Sequence, residues 1–129
     1  MQDPSTGLVI DRGERYLNTA RLALENGDPE SAASRAYYAL YHVTILLLKI
    51  VKGIERDRWG HPQLQQAFLD EFCKLGFKFN RNDGDDWAEV MQARLKADYW
   101  RDQLTHRSAR EAVAKAHRLV DKMRTEIRG

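Results

Sequence analysis

The chain has 129 residues and carries 21 Lys and Arg against 19 Asp and Glu, a formal net charge of +2. This is one domain's length, and the near balance of charge excludes a uniformly basic, histone-like binder while leaving room for a local basic patch. A 43% apolar, 31% charged composition is globular, and a single Cys excludes an internal disulfide or a multi-Cys zinc site. The start of the chain lacks the basic-then-apolar order of a signal peptide. The longest apolar run, Val43 to Leu48 interrupted by Thr44, is too short to span a bilayer, so a cytoplasmic location is expected.

Residues 1–10 contain Pro4 and Gly7 and show no period, and they read as a tail. The domain proper is expected over 11–128. From Asp11 to Asn26, Tyr16, Leu17, Ala20, Ala23 and Leu24 recur at helical spacing, and Asn26-Gly27 ends that helix. Asp28 then reads as an N-cap, with Pro29 at the first helical position and Glu30 in the first turn. The second helix, Pro29 to Lys52, is apolar on two sides. One stripe runs Ala33, Tyr37, Leu40, Tyr41, Thr44, Leu48, Val51, and the other runs Ala39, Val43, Leu46, Ile50. Only Arg35, His42 and Lys49 form a polar line. Such a helix sits at the centre of a bundle or against a partner chain.

Gly53 closes the second helix and a charged loop runs to Gly60. His61-Pro62 opens a third helix with Leu64, Ala67, Phe68, Phe72 and Leu75 as its buried line, ended by Gly76. Phe77 to Asp86 reads as a loop, with Asp85 or Asp86 capping a fourth helix from Trp87 towards Tyr99. The last helix begins at Thr105 or Ser108, where Ser108-x-x-Glu111 has capping-box form. Its apolar line is Ala109, Ala112, Val113, Ala116, Leu119, Val120, Met123 and Ile127. No segment alternates as a strand does. The expected fold is all-α, an antiparallel up-and-down bundle of about five helices.

Charge is uneven along the chain. Residues 100–129 hold eight Lys and Arg and four acids, and residues 81–100 hold three basic and five acidic groups. Arg107, Arg110, His117 and Arg124 make the last helix a candidate phosphate-binding face, against the plain alternative of a solvated surface.

The string from Glu14 to Leu48, with Ser34-Arg35-Ala36-Tyr37-Tyr38-Ala39-Leu40-Tyr41-His42 at its heart, resembles the HEPN superfamily of small helical bundles found mostly in prokaryotes. The Leu24 to Asp28 turn, His61 at the third helix, and Arg94-x-x-Ala97-Asp98-Tyr99 fit the same family. The resemblance covers nearly the whole domain and implies a HEPN-like bundle that acts as a homodimer. It also implies a place in a prokaryotic toxin–antitoxin or defence system, beside a small nucleotidyltransferase antitoxin. Family members with ribonuclease activity carry an Arg-x4-6-His motif and need no metal, since the RNA's own 2′-OH attacks the adjacent phosphate.

Arg101-Asp102-Gln103-Leu104-Thr105-His106 is the one literal match to that motif. His106 would move protons, Arg101 would hold phosphoryl oxygens, and Asp102 would orient either. Two features stand against the pair. Residues five apart on a straight helix point ~140° apart. Arg94 to Tyr99 also has the same spacing, with Tyr where the family has His. Two functions therefore remain open. One is a metal-independent RNA-cleaving toxin acting as a dimer. The other is a non-catalytic binding module of a nucleotidyltransferase, with Arg35, Tyr37, Tyr38, His42, Arg94, Asp98 and Tyr99 structural or docking. A nucleotide-binding regulatory domain is a weaker third. No cofactor and no metal site is expected. The four His are scattered, Asp83, Asp85 and Asp86 lack calcium-loop spacing, and there is no Gly-rich phosphate loop.

Overall fold

The structure is a computed structural model, and it describes residues 4–74 and 78–129. Among the described residues five helices follow one another: α1 (Pro4–Glu25), α2 (Pro29–Lys52), α3 (His61–Phe68, prolonged by a π-helical turn, Leu69–Cys73), α4 (Arg81–Tyr99) and α5 (His106–Arg128). A short 3-10 turn, Arg101–Gln103, joins α4 to α5. No strand occurs among the described residues. The all-α bundle expected from the sequence is the fold observed.

Helix α2 is the axis, packing on α1, α5 and α4, and its buried positions run round most of its circumference. Its ends follow from the sequence. Asp28 Oδ1 accepts from the Ser31 N–H at 3.2 Å. At the other end Gly53 takes the left-handed conformation, φ 68°, which lets the Ile54 N–H donate to the Leu48 carbonyl at 3.1 Å. Helix α5 buries all eight residues of its predicted apolar line.

Four expectations are corrected. The first is the tail: Pro4–Ile10 is helical and continues into α1, with Thr6 and Ile10 buried. Pro is tolerated in a first helical turn, and the buried series Thr6, Ile10, Gly13, Leu17, Ala20 has helical spacing. Thr and Gly within it hide the stripe from a hydrophobicity reading.

The second concerns α4, which starts at Arg81 instead of Trp87. Its cap is a box in which Asn80 Oδ1 accepts from the Asp83 N–H and Asp83 Oδ2 accepts from the Asn80 N–H. Gly84 reads as a breaker but serves close packing, since a Cβ there would lie 2.3 Å from Leu69 Cδ2. Third, α5 is capped by Thr105, whose box partner is Ser108; Ser108 itself is not the cap.

Fourth, the wide turn after Phe68 moves the inward face by one residue. Leu64, Phe68 and then Cys73 are buried, and Phe72 is only half-buried. The Lys74 N–H donating to the Leu69 carbonyl marks the extra residue. Leu75 in the buried line, Gly76 as its stop and Phe77 as the start of the loop lie outside the described residues.

Candidate functional site

Along one side of α2, Ser34, Tyr37, Tyr38, Tyr41 and His42 meet His61 from the start of α3 and Arg94 and Asp98 from α4. Together they line a cavity of about 370 Å³. A second cavity of about 510 Å³ adjoins it, sharing Ser34, Tyr38 and Asp98 and adding Arg35, Arg101 and Glu30 with Tyr16 of α1. The two make one cleft along the central helix.

Tyr37 organises the first cavity. Its ring is buried, edge-on to Trp87 at 5.7 Å and under the Arg94 guanidinium at 5.7 Å. Trp87 is itself fixed by its Nε1–H donating to Thr44 Oγ1 at 3.0 Å. A 2.6 Å hydrogen bond joins the Tyr37 hydroxyl to His61 Nδ1. Burial pushes the Tyr37 phenol above its ordinary pKa, against a smaller opposite pull from Arg94, so the hydroxyl keeps its proton at neutral pH. Burial and then Arg94 hold His61 below 6.5, so its imidazole is neutral there. His42, its ring tilted against Tyr38 at 4.4 Å, is depressed in the same way by burial and then by Arg12.

Arg94 Nε bonds Asp98 Oδ2 at 2.9 Å, one turn on along α4. Tyr41 donates to the Trp59 carbonyl, which pins the loop before α3 and so places His61. Among the described residues no three His, Cys, Asp or Glu side chains gather as a metal-holding group.

The Arg-x4-His residues fall on different elements. Arg101 lies in the 3-10 turn, its Nε donating to the Ala97 carbonyl at 3.2 Å, and its side chain lines the second cavity. His106 opens α5, and its Nε2 lies 3.1 Å from the Leu24 carbonyl at the end of α1. It is not among the residues lining the cavity that Arg101 enters. Asp102 is exposed. The chain does bend between Arg101 and His106, as a working pair would require, but the bend carries His106 towards α1.

Of the family-motif residues, Arg35, Tyr37, Tyr38, His42, Arg94 and Asp98 meet in the cleft. Tyr99 is 68% exposed and stacks edge-on with Trp100 at 6.1 Å, on the chain next to Arg101.

The α5 candidates are placed differently. Arg107 pairs with Glu111, His117 with Asp121, and Arg124 with Glu14 and Asp121. Arg110 is exposed. In the sequence His61 reads as a helix-entry residue that fits the family, with no site role. Its place opposite Arg94 depends on how α3 is set against α2 and α4, which local spacing does not encode.

An all-α antiparallel bundle with an Arg-, His- and Tyr-lined cleft along its central helix defines the class. The chain belongs to the HEPN domain family, whose sequence model matches residues 7–126. A UPF0332 protein of Thermotoga maritima is 37% identical over 89 residues, 68% of this chain and 64% of that protein's length. A Methanocaldococcus jannaschii protein named "Putative toxin MJ0605" is 27% identical over 120 residues, covering 93% of this chain and 87% of its own. The UPF0332 protein PH1297 of Pyrococcus horikoshii is 38% identical over 64 residues, 50% of this chain and 43% of that protein. The chain thus spans under two-thirds of both UPF0332 relatives. Among the described residues no helix is long and apolar enough to cross a membrane.

Proposed function

We propose that this HEPN domain is the toxin-like component of a prokaryotic toxin–antitoxin or defence system. It acts as a homodimer in the cytoplasm, and it binds and cleaves RNA without a metal. The observation that carries this reading is the cleft itself: Arg35, Arg94 and Arg101 stand in two adjoining cavities with Tyr38, Tyr41, His42 and His61. Guanidinium groups bind phosphate through paired N–H donors, and aromatic faces hold unstacked bases. An imidazole neutral at pH 7 can take a proton from a 2′-OH. The toxin name of the Methanocaldococcus jannaschii relative agrees with the reading.

The test is cleavage of end-labelled RNA by purified protein in chelator, with products examined for 2′,3′-cyclic phosphate and 5′-hydroxyl ends. Arg101→Ala is expected to lose most of the cleavage. His106→Ala tests the Arg101–His106 pair directly: cleavage retained in that variant removes His106 from the chemistry. No cleavage of any RNA by the wild type overturns the ribonuclease reading.

A second reading, a non-catalytic partner of a small nucleotidyltransferase, is favoured by one observation. Arg94 is closed on Asp98, while Tyr99 and Trp100 present an exposed aromatic pair beside the cleft. Loss of a co-purifying nucleotidyltransferase in Tyr99→Ala, with RNA left uncut by the wild type, would establish it.

A further inference from the structure

We infer that His61, held by Tyr37 and facing Arg94, is the proton-transfer group of this cleft. The inference rests on the ribonuclease reading and names a catalytic residue for it. The geometry assembles the chemistry from three separate elements. His61 comes from the first residue of α3, Tyr37 from the middle of α2, and Arg94 from α4, and all three line one cavity.

Tyr37 fixes the imidazole through Nδ1 at 2.6 Å, and His61 Nε2 makes no hydrogen bond among the described residues. With Nδ1–H donating to the Tyr37 oxygen, Nε2 carries a lone pair. Arg94 is tied to Asp98 through Nε, which leaves its terminal nitrogens as donors for a phosphate. His106, by contrast, is engaged through Nε2 itself, at the Leu24 carbonyl.

The step balances without a co-reactant. The 2′-OH proton passes to His61 Nε2 as the O2′–P bond forms, and the P–O5′ bond breaks. The departing 5′-oxygen takes a proton from water and the hydroxide so formed takes the proton from His61 Nε2, leaving a 2′,3′-cyclic phosphate, a 5′-hydroxyl and a neutral imidazole. Arg94 neutralises the non-bridging oxygens as charge gathers there. Burial and Arg94 hold the imidazole neutral at the pH where it must act as a base.

The groups facing His61 are Tyr37, Tyr41 and His42 from α2 and Arg94 and Asp98 from α4. Of these His42 is likewise held below 6.5, by burial and then Arg12, so the test must tell the two apart. The experiment measures chelator-resistant cleavage by wild type, His61→Ala and Tyr37→Phe across about pH 5 to 7. Wild-type kcat/KM should rise with pH to a plateau, and His61→Ala should fall by about 10²–10⁴-fold, the usual worth of a positioned base, and recover in part with added imidazole.

In Tyr37→Phe the step should move to lower pH, because the imidazolium loses the oxygen that accepts from Nδ1–H. A step moving to higher pH would mean that Tyr37 donates and Nε2 bears the proton, which overturns the assignment. Cleavage retained in His61→Ala overturns it and leaves the ribonuclease reading standing. No cleavage by the wild type removes both. If His61→Ala is unfolded by circular dichroism, His61→Asn replaces it on the same criteria.

Discussion

Replacing Asp83 with Asn is expected to destabilise the domain by about 2–3 kcal/mol at neutral pH, and to do so less as pH falls. The carboxylate is 2% exposed and accepts from Arg118 Nη1 at 2.8 Å, Lys122 Nζ at 2.7 Å and the Asn80 N–H at 3.0 Å. Asn keeps the size but offers one oxygen, and its amide N–H would face a cation. One or two charge-assisted bonds are lost, worth roughly 1.5–3 kcal/mol each. The sum is held to the low end because the Arg118 and Lys122 side chains are 44% and 35% exposed and can turn to water. In thermal unfolding this is a loss of roughly 10 °C for a domain of this size.

The sign against pH follows from the direction of the shift. Burial alone would raise the Asp83 pKa, but hydrogen bonds from Lys122 and Arg118 outweigh it and hold the carboxyl below 3.8. A carboxyl depressed on folding stabilises fully above its unfolded pKa, and that stabilisation disappears as pH falls through the folded value. The gap between wild type and Asp83→Asn, read by urea unfolding, should be flat above about pH 5 and close steadily below about pH 4. A gap that stays constant into strong acid would refute the ionic account and leave only packing or the helix cap.

Other substitutions test the packing around the cleft. Gly13→Ala should destabilise by about 1–2 kcal/mol despite Ala's better helix propensity, because its Cβ would lie 2.9 Å from the stiff Val43 Cγ2. In a Val43→Ala background the same change should stabilise by up to about 1 kcal/mol, a reversal that a double-mutant cycle in urea would show. Trp87→Phe should cost about 2–3 kcal/mol through the lost bond to Thr44 and the space left behind, and adding Thr44→Val should recover roughly 1 kcal/mol, read from the same unfolding curves. Burial, then Asp83, pushes the Cys73 thiol up to about 11, so a thiol reagent at neutral pH should modify it only as fast as the domain opens, and a fast reaction with folded protein would contradict the packing around it.

The parts of the fold legible in the sequence are those fixed by neighbours along the chain. The α5 stripe repeats every three or four residues, so all eight of its core positions are readable. Asp28, Pro29 and Gly53 declare the ends of α2 because capping is a local matter. What escapes depends on a contact elsewhere. Gly84 reads as a loop residue until Leu69 is seen against it, and Thr6 and Gly13 read as gaps in a stripe although both are buried, Gly13 against Val43 of α2. The π-helical turn shifts the register of α3 with no local marker. The site divides in the same way: the α2 and α4 residues of the cleft stand out as motif, whereas His61 acquires its neighbours only through the packing of α3.

The placement of charge argues for the cleft over the last helix as the surface that meets an anion. The acidic first half of α4 and the basic α5 look like opposite patches along the sequence, but the fold lays them against each other. Asp83, Asp86 and Glu89 are joined to Lys115, Arg118 and Lys122, and Arg124 reaches Glu14. Much of the surplus at the chain's end is thus neutralised within the domain. A phosphate reaching Arg118, Lys122 or Arg124 would have to displace carboxylates from cations they already hold, one of them the buried Asp83. In the cleft the accounting differs: Arg35, Arg94 and Arg101 stand against Asp98 and Glu30, with uncharged Tyr and neutral His between them. A low-charge wall with a few fixed guanidinium groups concentrates field where a single strand could lie, and aromatic faces supply the contact that phosphates cannot. The fold thus separates a neutralised seam between α4 and α5 from a cleft along α2 that carries three guanidinium groups against two carboxylates.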